Sequence, residues 1–374
     1  RVFTPWLDMQ SQMRSQDIPL WSLENRRPIR EFDILGFTLQ YELTFTNVLT
    51  MLDLAQIPIY SRERTNEDPL VIAGGSAAFN PEPLAPFIDA FVLGEGEDVI
   101  LEIADLLREW KKSSTPREER LKDLLLVPGV YVPAFYDAKY NDEGHFIGLE
   151  SLHPSAPEKI KRRVVDVLPP ALTQPIVPFL QTVHDRAAVE IQRGCTQGCR
   201  FCQAGMIYRP TRERSPEEVV KATESLLKNT GYDELSLLSL STTDHSRIVP
   251  MVEALTAKFP DLKISLPSTR VDSFSVDVAN AVAKGKKHTL TLAPEAGSQR
   301  LRNAINKLVT EDDLLGAATN AFSRGWTSIK MYYMVGLPSE TISDVEGILD
   351  MGLRVKQIGR DLIGKRAKVR VSTS

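Results

Sequence analysis

Apolar and polar residues alternate in blocks that predict a succession of strands and helices along most of this chain. In residues 1–112 each apolar run of strand length precedes a segment with helical spacing or a glycine turn. The predicted strands are 32–37, 70–75 and 90–97, and the predicted helices are 41–55, 81–88 and 98–111. Because strands that alternate with helices at this spacing form parallel sheets, we predict an α/β domain over residues 1–112.

The next part of the chain has a different pattern. Residues 111–120 are charged and rich in helix breakers, which indicates a linker or exposed turn. Residues 127–168 alternate between apolar and polar positions around the turn Asn141-Asp142-Glu143-Gly144. We therefore predict a β-rich connector over residues 113–180.

From residue 181 to residue 374 the alternation of strands and helices resumes. The predicted strands are 187–193, 234–240, 262–266, 288–292, 327–334 and 368–373. The predicted helices are 215–228, 245–258, 275–284, 298–322 (broken) and 340–356. Six β/α steps of this size predict a partial barrel, in which ligands lie at the carboxyl ends of the strands.

All three cysteines follow the first of these strands, as Cys195, Cys199 and Cys202 in a Cys-x3-Cys-x2-Cys run. The odd number disfavours a disulfide framework. Zinc would need a fourth ligand, and neither His184 nor His245 stands at a zinc-finger spacing. A redox dithiol would leave Cys195 without a role, so thiolate ligation of an iron–sulfur cluster fits best.

The spacing, together with the aromatic Phe201 before the third cysteine, resembles the radical S-adenosylmethionine (SAM) superfamily. The resemblance implies a partial (β/α)6 radical SAM barrel over residues 181–374. It also implies a [4Fe–4S] cluster on Cys195, Cys199 and Cys202, whose open iron chelates SAM. Reductive cleavage of SAM to a 5′-deoxyadenosyl radical would need an external one-electron reductant of the flavodoxin or ferredoxin type.

Polar residues at the ends of the later strands are the candidate SAM contacts. The resemblance implies roles for Glu295, in Glu-Ala-Gly-Ser, near the adenosyl group and for Gly336, in Gly-Leu-Pro-Ser-Glu, near adenine. Arg270 matches the geometry of a carboxylate, and Ser268 can hydrogen-bond the ribose or carboxylate. Ser241 belongs to a hydroxyl-rich run where many members have Gly-Gly-Glu.

Each of these positions also has a purely structural interpretation. Asp244, at the end of the hydroxyl-rich run, could instead cap the following helix. Arg270 could be an ordinary surface arginine. The Gly336 segment could be only a turn that shapes the rim of the barrel.

Residues 1–112 resemble the Rossmann-like domain that precedes the barrel in cobalamin-type radical SAM proteins. The resemblance rests on Gly74-Gly75 and on the run from Phe91 to Glu97. The chain lacks the Asp-x-His-x-x-Gly of base-off cobalamin domains, but many members of the group bind cobalamin without that histidine, so the resemblance leaves cobalamin open as a cofactor. Residues 1–186 also lack the cysteines with which methylthiotransferases hold a second cluster.

Three functions therefore remain open at this point. The first is a radical SAM enzyme of unknown substrate, the second a cobalamin-dependent radical SAM methyltransferase, and the third a non-catalytic iron–sulfur scaffold. A net charge of −4 gives no support to an overall basic nucleic-acid-binding surface, and no apolar run is long enough to span a membrane. We expect a cytoplasmic protein, and we expect that both ends are truncated because the chain begins at Arg1 and stops at a strand.

Overall fold

The computed structural model describes residues 1–180, 182, 185–268, 270–271 and 289–374. Contacts within the chain divide it into two compact units, Arg1–Asp166 and Val167–Ser374. Each unit has its own hydrophobic core. The three-part division at residues 112 and 180 stays a prediction. None of the helices in the described ranges combines the length and the apolarity needed to cross a lipid bilayer.

The first unit contains six strands and four α-helices, joined by loops and short 3-10 turns. The strands are β1 (Ile34–Thr38), β2 (Leu70–Gly74), β3 (Ala90–Val92), β4 (Val130–Tyr131), β5 (Tyr136–Tyr140) and β6 (Phe146–Ser151). The helices are α1 (Leu7–Ser15), α2 (Phe45–Leu54), α3 (Val99–Ser113) and α4 (Arg117–Leu125).

The predicted parallel sheet is confirmed in the first unit. Strands β1, β2 and β3 pair in parallel in that order, and β4 adds an antiparallel edge strand beside β3. Strands β5 and β6 form a separate antiparallel hairpin. The helix predicted at 81–88 is reduced to the 3-10 turn Glu82–Leu84, because Pro83 and Pro86 lack the N–H groups that a longer helix requires.

The prediction of a linker at residues 111–120 is wrong in part, because α4 begins at Arg117. Pro116 precedes the first helical residue, and Glu118 and Glu119 lie in the first turn, where negative charge stabilises a helix. The helix packs Leu124 against the core. A charged sequence of good helix formers was therefore sufficient for a helix once one face could be buried.

The second unit contains eight described strands and six described α-helices. The strands are β7 (Ala187–Glu190), β8 (Gln192–Arg193), β9 (Arg212–Glu213), β10 (Glu234–Leu238), β11 (Lys263–Ser265), β12 (Thr289–Glu295), β13 (Ser328–Tyr333) and β14 (Lys368–Thr373). The helices are α5 (Gln203–Ile207), α6 (Pro216–Thr230), α7 (Ile248–Lys258), α8 (Gln299–Ala304), α9 (Glu311–Ser323) and α10 (Ile342–Ile363).

The six strands predicted after residue 187 are all present and form two parallel three-stranded sheets. One sheet has the order β11–β10–β7 and the other has the order β12–β13–β14. The predicted helix at 275–284 lies outside the described residues. Because all six strands are parallel within their sheets, the loops that follow β7, β10 and β11 emerge at one edge, and so do those that follow β12 and β13.

Candidate functional site

The cysteine loop directly follows β7 and is closed at its base by a short ribbon. Strands β8 and β9 pair antiparallel, with Gln192 opposite Glu213 and Arg193 opposite Arg212. The backbone N–H of Arg214 also donates to the carbonyl of Ile191 at 2.8 Å. The residues between the two strands, including the three cysteines, are thus held as one loop at the end of β7.

Two glycines give the loop its curvature. Gly194 has φ +87°, and a Cβ there would lie 2.6 Å from the carbonyl oxygen of Tyr208 and 2.8 Å from that of Pro210. Gly198 has φ +69°. Both angles are in the left-handed region that favours glycine, so the curvature of the loop depends on glycine at these two positions.

The three thiols are free and partly exposed. Cys202 stands at the N-cap of α5, where its Sγ accepts a hydrogen bond from the N–H of Gly205 at 3.3 Å. The N–H of Cys202 itself donates to the carbonyl of Cys199 at 3.1 Å. This hydrogen bond closes a tight turn between the second and third cysteines and keeps them close together.

A segment more than a hundred residues later in the chain holds the loop from outside. The Nδ2 of Asn306 donates to the carbonyl of Gly198 at 2.9 Å, and the N–H of Arg200 donates to the carbonyl of Ile305 at 2.9 Å. The Arg200 guanidinium adds a 2.7 Å bond to the carbonyl of Ala304. The connection between α8 and α9 therefore supports the backbone that presents Cys199.

Asp244 joins the cysteine loop to the ends of β10 and β11. Its Oδ2 accepts hydrogen bonds from Gln197 at 2.9 Å and from the Ser241 hydroxyl at 2.7 Å, and it lies 3.6 Å from Nε of Arg270. The alternative of a helix cap is wrong, because α7 begins after Arg247 without any side-chain cap. The carboxylate instead connects three loops at one edge of the sheet.

Arg270 is buried, with 8% of its surface exposed, so it is not an ordinary surface arginine. Its backbone N–H donates to Oγ1 of Thr243 at 3.1 Å. Burial raises the pKa of the Cys199 thiol, while the positive charges of Lys307 and Arg270 act in the opposite direction. The charges of the Cys202 and Cys195 thiols raise that pKa further.

Glu295 ends β12 in the left-handed conformation, with φ +70°. Its carboxylate lies 3.3 Å from Nζ of Lys307, and both side chains are largely buried. Burial raises the pKa of Glu295, although Lys307 partly opposes this. The carbonyl of Glu295 accepts from the N–H of Met334, which ties the end of β12 to the end of β13.

Ser268 and Gly336 are the remaining residues predicted to contact SAM. Ser268 is exposed, has φ +59°, and its carbonyl accepts from the N–H of Thr242 at 3.3 Å. Gly336 has φ +92°, and its N–H donates to Oε2 of Glu340 at 2.6 Å. The backbone of Gly336 thus forms a closed turn, and no described contact joins it to the cysteine loop.

The Glu-Ala-Gly-Ser run supports the fold as well as the site. Ser298 caps α8 by accepting a hydrogen bond from the N–H of Leu301 at 3.2 Å. A Cβ on Gly297 would lie 2.1 Å from the carbonyl of Asp344. The close backbone approach that Gly297 allows is therefore an approach to α10.

The donor set suits an iron–sulfur cube better than a single ion. In the described residues no three His, Cys, Asp or Glu side chains lie close enough together to chelate one metal ion. A cube binds each thiolate at a different iron, so its ligands stand farther apart. Three partly exposed thiols on one loop fit such a cluster, and the positive charges of Arg270 and Lys307, which favour the Cys199 thiolate, suit its net negative charge.

Sequence reasoning missed Gln197, Asn306 and Lys307. Gln197 was visible as part of the cysteine run, but its partner Asp244 lies 47 residues away. Asn306 and Lys307 occupy a connection between two helices, where polar residues are ordinary. The unusual local feature in this connection is the positive φ of Asn306, and a backbone angle cannot be read from the sequence.

Two family models match the chain. The model described as "Radical SAM superfamily" matches residues 189–352. The model described as "Radical SAM proteins, N-terminal" matches residues 1–133. The two matches cover both units of the structure.

Related proteins are longer than this chain. An uncharacterized protein of Methanocaldococcus jannaschii is 31% identical over 356 residues, which is 93% of this chain and 68% of the relative. An uncharacterized methyltransferase of Pyrococcus horikoshii is 26% identical, covering 76% of this chain and 58% of the relative. The tRNA-2-methylthio-N(6)-dimethylallyladenosine synthase of Desulforamulus reducens is 26% identical, covering 50% of this chain and 42% of the relative.

The fold is similar to that of the cobalamin-dependent S-adenosylmethionine radical enzyme OxsB. The apo structure of that enzyme matches with a TM-score of 0.56 and 14% identity, over 94% of this chain and 45% of the other. At this identity the likeness concerns the fold alone. It confirms the predicted fold class, an α/β chain with a Rossmann-like domain followed by a radical SAM domain.

Proposed function

The chain belongs to the radical SAM superfamily, and we propose that Cys195, Cys199 and Cys202 bind a [4Fe–4S] cluster for the reductive cleavage of SAM. One observation carries the proposal: three free thiols stand on a single loop at the end of β7, curved by Gly194 and Gly198. When bound, such a cluster supplies the electron that divides SAM into methionine and a 5′-deoxyadenosyl radical.

The residues around Cys199 would bind and orient the carboxylate end of SAM. The Arg270 guanidinium is largely withdrawn from water, so an ion pair with a carboxylate is screened less there than at the surface. Asp244 fixes this guanidinium from one side, and Ser241 fixes Asp244. Ser241 thus acts through Asp244 in this proposal, rather than by touching SAM.

Residues at the ends of the later strands would hold the nucleoside end of SAM. Glu295 offers a carboxylate that Lys307 keeps in place, and it suits a hydroxyl or N–H donor. Ser268 offers an exposed hydroxyl. Gly336 would contribute only the shape of its turn, because its N–H already donates to Glu340.

Anaerobic reconstitution with iron and sulfide tests the proposal. We expect about four iron and four sulfide per chain, as the formula of the cube requires, and absorption near 400 nm. Cys199→Ala should abolish this absorption, while Thr196→Ala, at an exposed position of the same loop, should leave it unchanged. Iron and sulfide near zero, or an unaltered spectrum in Cys199→Ala, would refute the proposal.

A second measurement separates an enzyme from a scaffold. With dithionite and SAM, the reconstituted chain should form 5′-deoxyadenosine, and Cys199→Ala should not. Cluster binding without 5′-deoxyadenosine would identify a scaffold. In the cell, we propose that a flavodoxin or ferredoxin type of protein in the reducing cytoplasm supplies the electron. Replacing dithionite by reduced flavodoxin tests that part separately.

A cobalamin-dependent methyltransferase is the second candidate. It is favoured by the fold likeness to OxsB across 94% of the chain and by the similarity to the Pyrococcus horikoshii methyltransferase. The chain lacks a histidine motif for base-off binding, so cobalamin would bind here without that ligand. A corrinoid spectrum that copurifies after growth with cobalamin would support this candidate, and its absence would leave SAM cleavage as the function.

A further inference from the structure

The first unit contains a cleft that the cluster chemistry does not use. It has a volume of about 620 Å³ and lies beside the connection that follows β2, the end of β3 and the β5–β6 hairpin. Its lining is mainly apolar and aromatic, with few polar groups, as is typical of sites for small planar ligands. The aromatic members are Phe79, Tyr131, Tyr140 and Phe146.

Two of these rings are accessible and pack edge to face, with an interplanar angle of 71°. Tyr140 and Phe146 pair across the hairpin with ring centroids 5.9 Å apart, and they are 55% and 52% exposed. The strand alternation places Asp137, Lys139 and Glu150 on the other face of the hairpin, where Lys139 bridges the two carboxylates. The aromatic face is therefore separated from the acidic side chains of the same hairpin.

The carboxylate of Glu82, at the edge of the cleft, is a hydrogen-bond acceptor. Oε1 of Glu82 accepts a hydrogen bond from the Tyr131 hydroxyl at 2.6 Å. Burial, and then this bond, raises the pKa of the Tyr131 phenol, so the hydroxyl remains the donor. The carboxylate keeps its second oxygen for another N–H donor. A planar ligand in this cleft should consequently present an N–H or amino group at its edge.

A basic run of the chain contributes one residue to the lining of the cleft. Ile160 lines it, and the exposed Lys159 and Lys161 flank Ile160 in the run Lys159-Ile160-Lys161-Arg162-Arg163. This run is fixed beside the end of β3, because the N–H of Arg163 donates to the carbonyl of Leu93 at 2.8 Å. A ligand here can therefore combine a planar ring with an anionic group.

We propose that this cleft binds an unpaired nucleotide of a single-stranded nucleic acid. The base stacks on the face of one ring of the edge-to-face Tyr140–Phe146 pair, its amino edge meets Glu82, and its phosphates lie at Lys159 and Lys161. Stacking on aromatic side chains beside basic residues is how proteins hold single strands. The dimethylbenzimidazole nucleotide of cobalamin fits less well, because its base has no N–H to offer Glu82. The proposal concerns the first unit alone and stands apart from the cluster chemistry.

Fluorescence anisotropy with a fluorescein-labelled, unstructured 12-nucleotide RNA tests the proposal on the whole chain. We expect saturable binding that Tyr140→Ala/Phe146→Ala weakens by about 10- to 100-fold, the usual effect of losing one stacked base. Tyr41→Ala is the matched control, since Tyr41 is 54% exposed in the same unit and lies outside the cleft. It should change the affinity less than about twofold. Circular dichroism checks that each variant is folded.

The salt dependence of RNA binding tests whether the phosphates lie at Lys159 and Lys161. Each phosphate contact contributes about 0.7 to the slope of log affinity against log salt for a single strand, so Lys159→Gln/Lys161→Gln should reduce the slope by about 1.4. The control Lys111→Gln/Lys112→Gln should not reduce it. No saturable binding, an equal loss in Tyr41→Ala, or an unchanged slope in the Lys159/Lys161 variant would overturn the proposal. Displacement of the RNA by aquocobalamin, with the same sensitivity to the Tyr140/Phe146 variant, would assign the cleft to that cofactor instead.

Discussion

Gln197 of the cysteine loop donates a 2.9 Å hydrogen bond to the carboxylate of Asp244, which belongs to the loop after the next parallel strand. The same oxygen of Asp244 accepts from Ser241 and faces Arg270. One carboxylate thus holds the loop that carries the thiols and forms an ion pair with the Arg270 guanidinium. The cluster ligands and the proposed SAM carboxylate contact are positioned by a shared group.

Replacing Asp244 with Ala should therefore loosen the cysteine loop. Hydrogen bonds to a charged group contribute about 1.5–3 kcal/mol each, and Asp244 accepts two of them, so we expect the free energy of unfolding to fall by about 3 kcal/mol or more. Iron should also leave the reconstituted cluster several-fold faster when a chelator is added. Urea unfolding and the rate of iron release measure the two effects. Asp261→Ala, at an exposed position of the same unit, is the control, and equal behaviour of the two variants would contradict the positioning role.

Gly194 should not tolerate a side chain. Its φ is +87°, and two carbonyl oxygens lie within 2.8 Å of the point that a Cβ would occupy, so Gly194→Ala should cost roughly 2 kcal/mol or more of stability and reduce cluster content. Gly316→Ala is the matched control, because Gly316 is exposed within α9 and a Cβ there meets nothing within 4 Å. That variant should be more stable by about 0.4–1 kcal/mol. Chemical denaturation and iron analysis distinguish the two outcomes.

The Glu295–Lys307 pair predicts a pH dependence of stability. Burial raises the pKa of Glu295 above its ordinary value of 4.5, so the folded state binds this proton more tightly than the unfolded state does. Stability should consequently fall as the pH rises from about 4.5 through the folded pKa, and then level off. Glu295→Gln should remove this fall, which urea unfolding between pH 4 and pH 8 measures.

Lys307→Met should enlarge the loss of stability that accompanies rising pH. Without the ammonium the pKa of Glu295 rises further, and ionising a largely buried carboxylate without its partner should cost roughly 3 kcal/mol at pH 8. The cost should be smaller at pH 5, where more of the carboxyl is protonated. The double variant Glu295→Gln/Lys307→Met should recover most of the loss. A loss that is independent of pH, or unaffected by the second substitution, would argue against this pairing.

Asp89 should be the most sensitive acidic residue of the first unit. It lies between the buried guanidinium groups of Arg64 and Arg117, and its side chain is 1% exposed. Removing one partner of a buried ion pair leaves charge uncompensated, so Asp89→Asn should cost about 3–5 kcal/mol. Asp33→Asn removes an exposed pair with Lys111 and should cost less than about 1 kcal/mol. Thermal unfolding of the two variants side by side measures this contrast.

Hydrophobic patterning was sufficient to predict the strands, and the reason is visible in β14. The run Lys368–Thr373 alternates in period two and is bounded by a helix end, so its predicted and observed limits agree. The pattern fails at residues 111–120, where a charged run predicts an exposed linker but a helix begins at Arg117. Arg117 is charged and yet buried, since Asp89 lies opposite it in the fold. Local sequence does not contain that partner.

The cysteine ligand set could be read from spacing, but the groups that support it could not. Asp244 has the residue type and position of a helix cap, and only the folded chain brings Gln197 and Arg270 to it. Lys307 lies twelve residues after Glu295, and nothing in that interval marks the two as partners. Side chains that act across loops depend on how the loops meet, which periodicity does not record.

The hydrogen bond between Asn306 and Gly198 also bears on when the cluster can assemble during synthesis of the chain. The cysteine loop is synthesised 108 residues before the side chain that supports its carbonyl. At about 5–20 residues per second, a ribosome needs roughly 5–20 s to add that stretch. During this interval the three thiols have left, or are leaving, the exit tunnel without their supporting segment. We expect the nascent chain to acquire iron and sulfide only after the second half has been made, so that assembly factors meet a nearly finished protein.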